Sequence, residues 1–263
     1  MKQRVIFSIN HFGHGGAQRQ LVRLLPHLTN EFEVHLFVLQ TDPAPDVLLA
    51  ALSDEIIVHQ FAFTRMWLPA QWRLVAQVLR EIKPQVVVSS LFMSNTVLRL
   101  LARRQGIPVI AREHNTVVKR RWHHRWLDRR LAQAPEPIVA VSAEVAAAAS
   151  VALGLPPEKF SVIQNGIDLR EVDGAVSNES VSEWRTKLEL APDSRVALSV
   201  GRLVSQKRLD LLLRGFAAFL QKTPGWRLLI VGDGAERTSL EALVADLEIA
   251  DAVTFVGAQA NPH

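Results

Sequence analysis

The sequence contains no cysteine, so disulfides, thiolate metal centres and cysteine nucleophiles are excluded, and a reducing compartment suits it. Long apolar runs are also missing: charges interrupt each one well short of the ~20 residues that a membrane-spanning helix requires. The first ten residues carry two early cations and then a short apolar stretch with Ser8 and Asn10, and no small-residue cleavage site follows. A first β-strand is expected there, not a signal peptide. No Gly-x-Ser-x-Gly elbow, Walker lysine loop or His-Glu-x-x-His helix occurs, which deprives hydrolase and nucleoside triphosphatase readings of their residues. No repeat of solenoid length is evident. A cytoplasmic protein is expected, one that at most lies on the inner face of a membrane.

What is present suits a packed α/β protein. Of 263 residues 48% are hydrophobic and 21% charged, too apolar a mixture for disorder and long enough for one large domain or two smaller ones. The formal charge of +4 is modest and unevenly spread, which argues for a local basic face and against a nucleic-acid protein. Short β-branched runs alternate with longer stretches of helical period: 5–9, 17–28, 34–39, 67–82, 86–89, 94–105 and 109–111. The alternation continues through 138–141, 143–153 and 160–163. Crossovers of this length set successive strands parallel in a doubly wound sheet, whose ligand crevice lies at the carboxyl ends of the strands.

Residues 171–183 are polar and show little periodicity, and a second series then follows: 196–200, 209–221, 227–231, 235–247 and 253–256. A boundary near 165–168 is expected, giving domains 1–166 and 167–263. The second contains only three strands before Asn261-Pro262-His263, too few for a sheet covered on both faces, so an incomplete second domain with an exposed apolar edge is expected.

The first strand runs into a loop ending Gly13-His14-Gly15-Gly16, and a helix follows. Glycines here let backbone N–H groups approach an anion at the positive end of the helix dipole, although a tight strand-to-helix connection explains them equally well. Gly201-Arg202 ends a later strand and Lys207-Arg208 opens the next helix. Two long cations on one such loop can embrace a diphosphate, Arg202 through a bidentate fork and Lys207 as a point charge; the alternative is a pair of solvated surface cations. A third turn, Gly232-Asp233-Gly234, also follows a strand. Glycine-rich strand ends in both units suggest two crevices facing a shared ligand.

Arg112-Glu113-His114-Asn115 lies at another strand end, where His114 could orient a sugar hydroxyl and Glu113 could serve as acid or base, or where the histidine is simply a hydrogen-bonded loop residue. The segment 119–130 is strongly basic, with Trp122 and Trp126 four residues apart. It suits an anionic membrane surface, an anionic lipid-linked acceptor or nucleic acid, or else its tryptophans pack inward while its arginines are solvated. Its adjacent histidines lack a third metal ligand.

Together these segments resemble glycosyltransferase family 4, the retaining transferases of GT-B fold, over essentially the whole chain. Gly15-Gly16-Ala17-Gln18-Arg19 is similar to that family's Gly-Gly-Ala-Glu-Arg opening, with Gln18 in place of the acid. Val139-Ala140-Val141-Ser142 resembles the strand before its inter-domain helix, and Gln164-Asn165-Gly166-Ile167-Asp168 its Pro-Asn-Gly-Val-Asp hinge, with Gln164 for proline. Val200-Gly201-Arg202-Leu203 through Lys207 resembles the donor-diphosphate loop, and Val231-Gly232-Asp233-Gly234 the nucleotide-side turn after it.

The resemblance implies a GT-B fold of two Rossmann-like doubly wound domains facing a central cleft, with the second incomplete. It implies transfer of a hexose-type sugar, with retention, from a nucleotide sugar that is expected to be UDP-linked. The acceptor would be a glycan or lipid-linked molecule, as in polysaccharide or lipopolysaccharide synthesis. No cofactor or metal is implied, because Arg202 and Lys207 would neutralise the diphosphate. Gly15, Gly16, Gly232 and Gly234 would line the donor and His114 would stand beside its sugar. The family's Glu-Gly-Phe segment and second glutamate do not occur, so the chain alone is expected to be inactive. A catalytically silent nucleotide-diphosphate-binding module is the alternative. A nicotinamide-dependent dehydrogenase lacks its glycine fingerprint and ribose-binding acid.

Overall fold

The structure is a computed structural model that describes residues 2–13, 15–41, 47–115, 122–167, 169, 178–191 and 193–259. It divides into two compact units, Met1–Ile167 and Asp168–His263.

The first unit is a seven-stranded sheet in which every neighbouring pair is parallel. Its strands are β1 (Gln3–Ile9), β2 (Phe32–Val38), β3 (Ile57–Gln60), β4 (Val86–Ser90), β5 (Val109–Glu113), β6 (Ile138–Ala140) and β7 (Phe160–Val162). Their order is β3-β2-β1-β4-β5-β6-β7, so the winding reverses between β1 and β4 and opens a crevice at the carboxyl ends of those two strands. Near-continuous burial of β1 and β2 is what a central parallel strand covered on both faces requires.

The helices between them are α1 (Gly16–Leu28), a single turn α2 (Val47–Ala50), α3 (Pro69–Ile82), α4 (Phe92–Arg103), α5 (Trp122–Ala132) and α6 (Ala143–Leu153). Ile6, Phe37, Val87 and Val109 meet Val75, Leu79, Val97 and Leu98 of α3 and α4 on one face of the sheet. Val5, Phe7, Ile9, Val34 and Leu36 meet Leu21 and Leu25 of α1 on the other. Helix ends follow local chemistry. Pro69 opens α3, the hydroxyl of Ser142 caps α6 by accepting from Val145 N at 3.2 Å, and Gly154 ends α6 in the left-handed region.

The second unit holds helix α7 (Asn178–Lys187) and then β8 (Arg195–Val200), α8 (Leu209–Lys222), β9 (Trp226–Val231), α9 (Arg237–Asp246) and β10 (Val253–Gly257). Its three strands are parallel in the order β10-β9-β8. Leu203, Leu213, Phe216, Leu228, Ile230, Leu240 and Val244 form its core. Leu198 and Val200 of β8 are exposed among the described residues.

The single turn α2, the strand β3 and the helix α7 are absent from the sequence reading. β3 is a four-residue edge strand, mostly exposed, so it carries no apolar run to betray it. Helix α7 occupies a stretch that reads as aperiodic. Its mean hydropathy is low, and its C-terminus is held by hydrogen bonds from Leu188 N to Trp184 O and from Leu190 N to Arg185 O.

Candidate functional site

In the first unit the switch point between β1 and β4 is polar and laced by side-chain hydrogen bonds. Helix α4 starts after Leu91, which cannot cap a helix and sits at φ 72°, ψ 161°, a region that L-residues rarely enter. Asn10, at the end of β1, supplies the missing cap: its Oδ1 accepts from Ser94 N at 2.8 Å, across 84 residues of sequence. Ser94 Oγ donates to Ser8 Oγ at 2.8 Å, and Ser89 Oγ donates to Asn95 Oδ1 at 2.7 Å. Asn95 Nδ2 donates to Arg112 O and to Glu113 Oε1 at 3.3 and 3.4 Å, tying the turn to β5. The strained turn is therefore over-determined by side chains from three strands.

The glycine loop after β1 leads straight into α1. Gly15 is the N-cap, with an extended backbone that any residue adopts. A Cβ there would stand 2.4 Å from Gln18 Oε1, so a larger residue would have to push the Gln18 amide aside. Gln18 is buried and donates from Nε2 to His11 O at 3.1 Å, folding its amide back under the helix start. Gly16 differs: a Cβ would meet nothing within 4 Å. The fold does not demand glycine at that position.

β5 delivers Arg112, Glu113 and His114 to the same sheet edge. Alternation along the extended chain sets Arg112 and His114 on one side and Glu113 on the other. Glu113 is buried with Asn95, in the field of the buried Arg99. Burial pulls Arg99 down to about 10, against the raising influence of Glu113, Asp128 and Glu136. Burial lowers Arg112 as well, with no carboxylate among the described residues to offset it. Arg112 Nη2 donates to Asn165 Oδ1 at 3.5 Å, and Nη1 is buried without a partner. His114 Nε2 is likewise buried and unpartnered, and burial, with the nearby Arg112 charge, lowers its pKa to about 4. His114 is thus a neutral imidazole at physiological pH.

Of the basic segment 119–130, residues 119–121 and the side chains of Trp122 and His123 lie outside the described part. α5 buries Asp128, Leu131 and Ala132 and presents Arg125, Trp126, Arg129 and Arg130 to solvent. Trp126 is 56% exposed, with the Arg130 guanidinium 5.2 Å from its ring centroid. This tryptophan does not pack inward.

In the second unit three adjacent strand ends carry glycines, and their loops are laced together. Gly201 N donates to Val231 O at 2.9 Å, Leu203 N to Asp233 O at 2.9 Å, and Gly232 N to Gly257 O at 2.8 Å. Gly232 (φ 139°) and Gly257 (φ 82°) occupy backbone conformations that favour glycine. A Cβ on Gly234 would come within 2.3 Å of Leu203 O. This lattice fixes the loop that bears Arg202 and Lys207, both exposed and without a side-chain hydrogen bond or ion pair among the described residues. Arg208 is committed elsewhere, since its Nε and Nη2 each donate to the Asp210 carboxylate at 2.9 Å. The structure therefore leaves two exposed cations, unpaired among the described residues, on a glycine-rich edge whose loops are hydrogen-bonded together, an arrangement suited to a diphosphate.

Among the described residues no group of three or more His, Asp or Glu side chains could hold a metal ion, and no helix is long and apolar enough to cross a membrane. Sequence reasoning missed the Asn10–Ser94 cap and the unpaired Arg112. The signal for the first was Leu91, a poor capping residue directly before a helix.

Comparison with known proteins follows the division into units. The model of Glycosyltransferase Family 4 matches residues 14–171, and that of Glycosyl transferases group 1 matches residues 180–263. A D-inositol 3-phosphate glycosyltransferase of Acidothermus cellulolyticus is 33% identical over 235 residues, covering 77% of this chain and 48% of that protein. The chain spans about half the length of such relatives. Among solved structures, Anabaena HepE in complex with UDP-glucose superposes with a TM-score of 0.81 at 19% identity, over 98% of this chain and 69% of that one. The lipopolysaccharide outer core galactosyltransferase WaaB in its apo form gives 0.67 at 19% identity, over 99% and 69%. The fold is that of the two-domain, Rossmann-like GT-B proteins.

Proposed function

Because the chain belongs to Glycosyltransferase Family 4, we propose that it transfers a sugar from a UDP-linked donor to a glycan or lipid-linked acceptor with the anomeric configuration kept. The observation that carries this reading is the edge of the second unit, where Arg202 and Lys207 stand unpaired among the described residues on a loop locked by Gly201, Gly232 and Gly234. Breaking the bond from the anomeric carbon to the diphosphate leaves a nucleoside diphosphate with an added negative charge. Two preorganised cations stabilise that leaving group without a metal ion. In the first unit, Gly15 and Gly16 at the start of α1 offer backbone N–H groups to the donor phosphates. His114, held neutral, offers a hydrogen bond to the sugar.

The HepE complex with UDP-glucose supports a uridine donor and a hexose, and the name of WaaB supports a lipopolysaccharide-type acceptor. Such acceptors are anchored at membranes. We place the protein in the cytoplasm, touching the inner membrane face through Arg125, Trp126, Arg129 and Arg130 of α5, whose exposed cations and indole suit anionic headgroups.

Isothermal titration of the chain with UDP and GDP tests the donor site. UDP should bind, and Arg202→Ala should abolish binding. A folded chain that binds neither nucleotide would refute the assignment of the loop.

A further inference from the structure

Two arginines are less than a tenth exposed among the described residues, Arg99 at 4% and Arg112 at 7%. Arg99 lies in the field of three carboxylates, those of Glu113, Asp128 and Glu136. Among the described residues Arg112 has none: its Nη2 reaches only the neutral amide oxygen of Asn165, at the 3.5 Å limit of a hydrogen bond, and its Nη1 is buried without a partner. A buried guanidinium without a counter-charge is costly, so a fold that keeps one is complete only when an anion arrives.

The position favours a ligand as the source of that anion. Arg112 is the penultimate residue of β5, one strand from the switch point, on the edge where ligands of doubly wound sheets bind. His114, two residues on along an extended chain, has its own buried and unpartnered nitrogen, Nε2. Its neutral imidazole can donate one hydrogen bond there, and the guanidinium adds a second with full charge. A neutral sugar hydroxyl would satisfy the imidazole and leave the guanidinium uncompensated. A carboxylate or phosphate satisfies both.

We propose that Arg112 Nη1 and His114 Nε2 form an oxyanion-receiving subsite that takes a carboxylate or phosphate group carried by the donor sugar or by the acceptor; the subsite rests on the glycosyl-transfer reading above. The reaction therefore involves a charged sugar or a charged acceptor, and Arg112 is the residue that selects for it.

The test is histidine-ring NMR on the chain, with the His114 resonance assigned from its loss in His114→Gln. Glucuronate, glucose 1-phosphate and neutral glucose are titrated with and without saturating UDP, and UDP-glucuronate is compared with UDP-glucose. A charged probe should shift the His114 resonance and raise its apparent pKa, because the anion offsets the Arg112 field, whereas glucose should do neither. Arg112→Gln should raise the half-saturating concentration about tenfold or more, and Arg112→Lys by less. Preference for UDP-glucuronate over UDP-glucose places the anion on the donor sugar. A shift by a free charged probe with UDP already bound places it on the acceptor. The proposal is overturned if no charged probe moves His114, if glucose moves it as far, or if folded Arg112→Gln binds the charged probes as well as the parent chain. Failure of UDP to bind would count against the donor loop instead, and the free-probe comparison would still decide the role of Arg112.

Discussion

The carbonyl oxygen of Gly201 lies 1.9 Å from where a Cβ on Gly232 would stand, so the two glycine-rich turns of the second unit are in direct backbone contact. Gly232 also has φ 139°, a conformation that side chains resist. Both effects act on one substitution. Gly232→Ala should destabilise the second unit by at least about 2 to 3 kcal/mol, read as a lower denaturation midpoint in urea. A midpoint within experimental error of the parent chain would show that the loop contact is not rigid.

Asn10 and Ser94 provide a second structural test. Asn10→Ala removes the cap from Ser94 N at the start of α4 and leaves that buried N–H unsatisfied, at a cost of about 1 to 2 kcal/mol. Asn10→Asp keeps an acceptor at the same place and should recover most of the loss. Equal stability of Asn10→Ala and the parent would mean that the turn at Leu91 is held by other contacts.

Both tests touch features of unequal visibility in the sequence. β1, β2, α3 and α8 are legible because their apolar residues recur at strand or helix period, as with Val75, Leu79 and Ile82 on the buried face of α3. The glycine-rich strand ends are legible because glycine and strand-to-helix transitions coincide. β3 is not, since an edge strand needs only one paired side and three of its four residues face water. The network of Ser8, Asn10, Ser89, Ser94 and Asn95 is illegible for a different reason. Each residue reads as an ordinary polar position, and only the parallel pairing of β1 with β4 brings them together. The same holds for Arg112: its position beside His114 is visible in the sequence, whereas its lack of a carboxylate partner among the described residues is a fact of three dimensions.

Gly16 separates folding from binding. Its Cβ direction is open, so Gly16→Ala should leave stability unchanged or raise it by up to about 1 kcal/mol. If donor phosphates approach the backbone there, the same change should weaken UDP-glucose binding. An alanine variant that binds UDP-glucose as tightly as the parent would remove Gly16 from the donor site.

His114 should titrate far below an ordinary histidine, with an apparent pKa of about 4 by ring NMR. The folded-state value is depressed, so between about pH 6.5 and pH 4 the unfolded chain binds a proton that the folded chain refuses. Stability attributable to this group is therefore intact above pH 6.5, falls as pH drops through that window, and is lost below pH 4, with a full difference on the order of 3 kcal/mol. His114→Gln should flatten that part of the stability curve. A His114 pKa near 6.5 would contradict the burial on which its neutral role depends.

Lys207 is exposed, its side chain has no partner among the described residues, and Gly201 is the glycine nearest its path: a Cβ there would lie 3.8 Å from the Lys207 Cε. Nothing in the fold relies on its ammonium group, so Lys207→Ala should change unfolding free energy by less than about 0.5 kcal/mol. If Lys207 neutralises the diphosphate, the same variant should lose about 1.5 to 3 kcal/mol of UDP affinity, the range for a hydrogen bond to a charged group. The loss should shrink as salt is added, because an exposed cation acts through a screened field. Isothermal titration at two ionic strengths measures all of this on one protein. Unchanged affinity would return Lys207 to the class of solvated surface cations, and a loss that does not respond to salt would mean that its effect is steric.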